Sequence, residues 1–292
     1  MKVLITGGFG MIGSELGKHA LKDAIFFSHN EEPILDISDY AKAKEIILSH
    51  RPDAIIHLAA ETDVDWCQKN PEECSNINVK GTQNLVNIAK EIESVFVYPS
   101  TFYVYGGGKK DYYDDRVDKP DIDTISSVYA KSKFMGEEAV RRNLKKYFIL
   151  RFGALFGGGK KDKKFVAKIL NLIKTQREIR IVSDRIVQPS SVKDSVHNML
   201  ALIQTDKYGT YNMVGHGSAS YYEYAKAIVE YSGANDIKII PIKSADFKED
   251  APRESNLSVI NGKLKEIGLD LMRDWKVALK DYIDEIKKEG LI

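Results

Sequence analysis

Residues 2–13 constrain the fold of this chain more than any other stretch. Lys2-Val3-Leu4-Ile5-Thr6 is a short β-type run, and Gly7-Gly8-Phe9-Gly10-Met11-Ile12-Gly13 follows at once and opens onto a helix-forming segment. A strand, a glycine turn and a helix in that order make the entry of a parallel βαβ unit. The first glycine permits a tight turn, the second lets the backbone approach a pyrophosphate, and the third lets the helix pack closely on the strand. The helix then aims its N-terminal amides at the anion. Glycines also mark simple turns, so the motif draws its weight from its place directly after the first strand.

The alternation continues along the first half. Short runs at 2–6, 24–27, 54–58, 95–98 and 147–150, several of them rich in β-branched or aromatic residues, alternate with amphipathic stretches at 11–20, 39–50, 76–92 and 128–143. In the latter, residues such as Ile77, Leu85, Ile88 and Ala89 recur at helical spacing. The strand runs are apolar almost throughout, as strands covered on both faces require. The expectation is an α/β fold, a Rossmann-type doubly wound parallel sheet, with residues 1–150 as the dinucleotide-binding domain. Residues 151–292 read mainly as a smaller substrate-binding domain with segments returning to the main sheet, 209–214 being a candidate strand of that kind. Gly-Gly-Gly-Lys-Lys occurs at 106–110 and at 157–161 and reads as loop chemistry rather than a repeat.

Composition narrows the class. The 292 residues carry 43 Lys and Arg against 42 Asp and Glu, a formal net charge of +1. No global field draws such a chain onto nucleic acid or anionic lipid, so any phosphate recognition is local. Cys67 and Cys74 do not have metal-type spacing, no metal site is expected, and a disulfide scaffold is implausible at this size. No signal-peptide core opens the chain and no run approaches a membrane span, so the expected setting is the cytoplasm.

Tyr129 and Lys133 lie four apart in a helical stretch, so both project from one face. An ammonium beside a phenol favours the phenolate and lowers its pKa, which suits a proton donor to a carbonyl. Tyr-x-x-x-Lys also arises by chance, with the Tyr packed and the Lys solvated. Upstream, the run 95–98 leads into Pro99-Ser100-Thr101, a hydroxyl turn at the end of a central strand, where open α/β sheets bind ligands. Thr101 is then a candidate donor to the reacting carbonyl, unless it merely caps the turn. It is the arrival of glycine loop, hydroxyl turn and Tyr/Lys pair in this order that favours a dinucleotide oxidoreductase.

The G-x-x-G-x-x-G spacing resembles the extended short-chain dehydrogenases/reductases, the NAD-dependent epimerase/dehydratase superfamily. Within it, nearly the whole chain resembles the dTDP-4-dehydrorhamnose reductase family. The residues that carry this are 59–65 (Ala-Ala-Glu-Thr-Asp-Val-Asp), 78–85 (Asn-Val-Lys-Gly-Thr-Gln-Asn-Leu), 100–104, 129–133, 209–212, and 253–258 with Lys263-Leu264. The resemblance implies reduction of the C4 ketone of a nucleotide-linked deoxy-ketosugar in surface polysaccharide or deoxysugar biosynthesis, with Thr101, Tyr129 and Lys133 as the catalytic trio. The expected cofactor contacts are Gly7, Gly10, Met11, Ile12, Gly13, Ser28, His29, Asp36, Ile37, Leu58, Ala59, Ala60, Thr62 and Asn78, together with Tyr129 and Lys133. The expected substrate contacts are Thr101, Phe102, Tyr103, Ala154, Arg185 and Arg253, whose planar fork suits a diphosphate. No acid stands at the end of the second strand before Glu31, so NADPH is the expected cofactor, with NADH open. Phe102 stands where the family has Asp, Ala154 where it has Trp, and 184–190 departs from its pattern, so the sugar is less well specified than the hydride chemistry.

Two other readings keep the same motifs. One is an epimerase or dehydratase that returns its hydride to the sugar; the other is a non-catalytic regulatory subunit that binds a dinucleotide and a partner enzyme. A nucleotide sugar is the expected small-molecule partner, and a homodimer is compatible with every reading. The lysines at 109, 110, 160, 161, 163 and 164 read as solvated loops, or as a diphosphate attractor if the loops meet. His57, His197 and His216 read as structural or surface groups, and Trp66 and Trp275 as packing residues.

Overall fold

The computed structural model describes residues 1–19, 23–107, 110–254 and 257–292. Apolar runs too short for helices form a six-stranded parallel sheet of β1 (Val3–Thr6), β2 (Ala24–Phe27), β3 (Ala54–His57), β4 (Val95–Thr101), β5 (Tyr147–Phe152) and β6 (Gly209–Met213). The spatial order is β2-β1-β3-β4-β5-β6. The segment expected to return to the main sheet is thus its last strand, with Met213 opposite Phe152. From β1 the chain goes first to one side and then back to the other, so the order reverses between β1 and β3, where Thr6 and His57 end side by side. Open α/β sheets bind ligands in the crevice beyond such a reversal.

Alternate residues of each strand feed two cores. Leu4, Ile55, Phe96, Tyr98 and Ile149 pack with Ala43 and Ile47 of α2 (Tyr40–His50) and Leu85, Ile88 and Ala89 of α5 (Thr82–Glu91). Val3, Ile5, Ile56, Val97, Phe148 and Leu150 pack with Leu16 of α1 (Met11–Leu16) and Val196, Met199 and Leu202 of α8 (Val192–Leu202). Each face thus carries its own apolar set, which is why the strand sequences read as continuously hydrophobic.

The remaining chain builds a third core around Phe156, Ile181, Tyr224, Ile228, Trp275 and Leu279. It combines α7 (Phe165–Leu172), α9 (Tyr221–Ser232) and α11 (Trp275–Lys288) with small strand pairs, among them Glu178–Val182 parallel to Lys238–Ile242 and Ala154–Phe156 parallel to Pro189–Ser191, while Leu264 of α10 (Gly262–Glu266) packs with the second face of the main sheet.

Several expectations shift. The helix expected at 11–20 is described to Leu16, and its last residue, Ala20, lies outside the described residues, as do Lys109, Ser255 and Asn256. Residues 64–75, outside every expected element, form α3 (Val64–Lys69) and α4 (Pro71–Ser75), and the helix expected from 76 opens with a π-helical turn, Asn76–Gly81, before α5. Trp66 is 36% exposed rather than packed, whereas Trp275 is buried edge-on against Tyr224. The helix expected at 128–143 is present with those bounds as α6 (Val128–Asn143), its N-cap Ser127 accepting from the Ala130 amide at 3.2 Å.

Candidate active site

The glycine loop is closed by contacts that leave no room for side chains. Gly7 has φ of +64°, and a Cβ there would lie 2.6 Å from the Ala59 amide nitrogen and 2.8 Å from the Leu58 carbonyl carbon. A Cβ on Gly13 would lie 2.2 Å from the Gly8 carbonyl oxygen. Gly10 caps α1 without a side chain, so the first-turn amides from Met11 and Ile12 onward carry no side-chain acceptor. The Thr6 hydroxyl bonds His57 Nδ1 at 2.9 Å and accepts from the Ala59 amide at 3.2 Å, while His57 Nε2 meets the Thr82 hydroxyl at 3.0 Å. His57 therefore joins β1, β3 and α5, and its burial, with Lys133 nearby, lowers its pKa to about 3. A neutral structural histidine is the result.

Asn78 fixes the stretch after β3. It accepts from the Glu61 amide at 2.9 Å, donates to the Glu61 carbonyl at 3.0 Å and donates to the Ser132 hydroxyl at 3.0 Å. Ala59, Ala60 and Thr62 are thereby held beside the glycine loop, with Asn78 acting from beneath. At the other edge, Ser28 is half-buried and His29 exposed. Asp36 accepts from the Ser38 amide and hydroxyl at 2.9 and 2.7 Å, and Ile37 packs where a Cβ on Gly81 would strike it at 2.7 Å.

β4 runs to Thr101, beyond the expected end, because β5 pairs with it past the last β3 partner, through Thr101 opposite Phe152. Tyr129, in the first turn of α6, has its phenol within reach of the Thr101 hydroxyl, whose influence favours the phenolate. Lys133 follows on the same face, buried, its ammonium 4.1 Å from the Tyr98 ring centroid. Burial raises the Tyr129 pKa above its ordinary value, with Cys67, Tyr103 and Cys74 adding to the effect and the Thr101 hydroxyl opposing it. Burial also lowers Lys133 to about 7, against the pull of Glu137. Burial is the largest influence on the phenol here, and Tyr129 keeps its proton at neutral pH. A proton donor needs that state.

Sequence reasoning missed what lies under α6. Glu137, fully buried one turn after Lys133, accepts from Ser100 at 2.6 Å, from Arg151 at 2.9 and 2.7 Å and from Arg141 at 2.7 Å. Arg141 lies in α6 itself, but the buried partners Ser100 and Arg151 come from β4 and β5, and nothing local marks them. Ser132 and the buried thiols of Cys67 and Cys74 complete the floor, Cys74 lying 3.5 Å from the Ser132 hydroxyl.

The expected substrate residues separate into two groups. Tyr103, whose phenol shares a hydrogen bond with Tyr221, is half-buried near Arg253. Arg253 forms a bidentate pair with Asp65 at 2.9 and 2.8 Å, and Arg185 pairs with Glu249. Phe102, in contrast, is 1% exposed and belongs to the third core, so its ring is packing rather than an open wall, and half-buried Ala154 lies in a small parallel strand pair. Of the lysines, Lys110 is tied to Asp118, Lys161 lies 3.6 Å from Glu31 and Lys164 donates to the Thr62 hydroxyl at 3.0 Å. Among the described residues no cluster of His, Cys, Asp or Glu is arranged to hold a metal ion, and no helix is long and apolar enough to cross a membrane.

A side-chain-free cradle, uncapped helix amides and a strand-order reversal fit a dinucleotide, and the hydroxyl pair above it fits a carbonyl. Fold and site together define an extended short-chain dehydrogenase/reductase. The chain belongs to the RmlD substrate binding domain family, whose pattern matches residues 1–288. It is 31% identical, over 97% of each chain, to the spore coat polysaccharide biosynthesis protein SpsK of Bacillus subtilis. A dTDP-4-dehydrorhamnose reductase from Clostridium acetobutylicum matches it with a TM-score of 0.92 and 31% identity, covering 98% of this chain and 100% of that one. The Bacillus anthracis dTDP-4-dehydrorhamnose reductase, solved in complex with NADP, matches with a TM-score of 0.90 at 31% identity and the same coverage.

Proposed function

We propose that this protein reduces the C4 ketone of a nucleotide-linked deoxy-ketosugar with NADPH, in surface polysaccharide or deoxysugar biosynthesis. The observation that carries this reading is the Thr101–Tyr129 hydroxyl pair at the end of β4, backed by buried Lys133 one helical turn on. NADPH, when bound on the glycine loop, supplies the hydride. Thr101 and Tyr129 donate hydrogen bonds to the ketone oxygen, and Tyr129 passes its proton to that oxygen as negative charge develops there. Lys133, buried one helical turn on, holds the dinucleotide ribose and, in its charged form, stabilises the phenolate that remains. Preorganised donors aimed at the developing alkoxide supply most of the acceleration. Arg253, its fork held ready by Asp65, is the candidate cation for the substrate diphosphate. The reading implies action in the cytoplasm, and a homodimer is the assembly it allows.

Tyr129→Phe tests it. Turnover of a nucleotide-linked 4-ketosugar, followed by NADPH absorbance, should fall by roughly 100-fold or more, the scale of a lost general acid. NADPH affinity should stay near that of the unaltered protein. Unchanged turnover removes Tyr129 from the mechanism, and no turnover of any 4-ketosugar by the unaltered protein removes the reaction.

A further inference from the structure

The loop 157–164 belongs to the second half of the chain, yet it touches the borders of the dinucleotide crevice. A Cβ on Gly158 would lie 3.3 Å from Met11 Cα at the start of α1. Lys161 Nζ lies 3.6 Å from Glu31 Oε1, beyond the end of β2. Lys164 Nζ donates to the Thr62 hydroxyl and carbonyl at 3.0 and 3.4 Å, beyond β3. The loop is also pre-shaped. Asp162 accepts from the Gly157 and Lys164 amides at 3.3 and 2.8 Å and from the Tyr282 hydroxyl at 3.3 Å, around a single 3₁₀ turn, Gly159–Lys161.

The end of β2 is where a Rossmann-type sheet meets the adenosine ribose, and an acid there takes the 2′-hydroxyl and repels a 2′-phosphate. Here Ser28, His29 and Asn30 follow β2, and the first acid, Glu31, already faces a lysine. The Lys161 and Glu31 side chains are 47% and 60% exposed, so their pairing is weak and readily exchanged. A phosphate dianion is a stronger partner for an ammonium than one solvated carboxylate.

We propose that Lys161, carried over the crevice by the 157–164 loop, is the cation that receives the adenosine 2′-phosphate, and that Glu31 holds it in place until the phosphate arrives. This inference rests on the reading of the chain as a dinucleotide-dependent enzyme. It makes the second half of the chain a determinant of cofactor choice, although the glycine loop lies in the first.

Calorimetric titration of the full chain with NADPH, NADH, 2′,5′-ADP and 5′-AMP tests it. Lys161→Ala should weaken NADPH and 2′,5′-ADP by roughly ten- to hundredfold, the size of a hydrogen bond to a charged group. NADH and 5′-AMP should bind as before, and Lys161→Arg should retain most of the 2′-phosphate preference. Glu31→Gln should leave 2′,5′-ADP binding intact or tighter. Equal losses for NADPH and NADH, no loss for either, or a Glu31→Gln defect matching that of Lys161→Ala overturns the assignment while leaving the reductase reading standing. Failure of the unaltered protein to bind either dinucleotide ends both.

Discussion

At the scale of single residues, Gly7 shows how little freedom the cradle has. Its φ of +64° and the 2.6 Å approach of the Ala59 amide exclude a side chain on two separate grounds. Gly7→Ala should cost about 1–3 kcal/mol from the backbone alone, before β3 is pushed away. Urea unfolding and NADPH titration of the variant should both show loss, and unchanged affinity would mean that the cradle is not where the dinucleotide lies. His57 makes a pH prediction. The unfolded chain takes up a proton as pH falls through about 6.5, whereas the buried imidazole does so only near 3. Folded-state stability contributed by this residue is therefore present above pH 6.5 and is lost as pH falls toward 3. His57→Gln should flatten the decline in unfolding midpoint just below pH 6.5, and an identical slope in both proteins would contradict the assignment. Residues of this kind differ in how far the sequence announces them. Thr101, Tyr129 and Lys133 were legible because motif, order and strand end coincide. Glu137 and Lys161 were not, because their meaning lies in partners from distant segments, Arg151 and Ser100 for one and Glu31 for the other.

At the scale of elements, α6 is the piece on which the site depends. Its bounds could be read from apolar spacing, but its fit to the sheet could not. That fit uses Gly136, where a Cβ would meet the Tyr98 hydroxyl at 2.1 Å, and Glu137, which holds Arg151 of β5 and Ser100 of β4. Glu137→Ala leaves the Arg151 guanidinium buried with its carboxylate partner gone and should destabilise the fold by about 3–5 kcal/mol in denaturant unfolding. Replacing both residues by Leu and Met should cost less than the single change, and a larger cost would show that the pair is more than charge compensation. The short helices α3 and α4 escaped sequence reading for a different reason. Six and five residues, parted at Asn70 with Pro71 opening the second, give too few turns for a period to show. They are held by tertiary contact, through Cys67 and Cys74 buried next to α6.

At the scale of the whole molecule, the two halves are joined by polar bonds that cross large sequence distances. Arg253 grips Asp65 of α3, and Asp65 in turn accepts from the Ala251 amide at 3.0 Å. Asp65→Ala should therefore speed hydrogen exchange at the Ala251 amide while leaving the amides of β1 and β3 protected. Equal protection at Ala251 in both proteins would show that the bond does not hold in solution. Strand β6 carries a consequence for synthesis. Residues 153–208 separate it from its neighbour β5, so a nascent chain presents the open flank of β5 long before its partner emerges. Until α8 and β6 arrive, the row Phe148, Leu150 and Phe152 also lacks its cover. Exposed flanks and bare apolar rows invite chaperones or aggregation. A message truncated before Gly209 would thus yield a client for the cell's quality control rather than a smaller working catalyst.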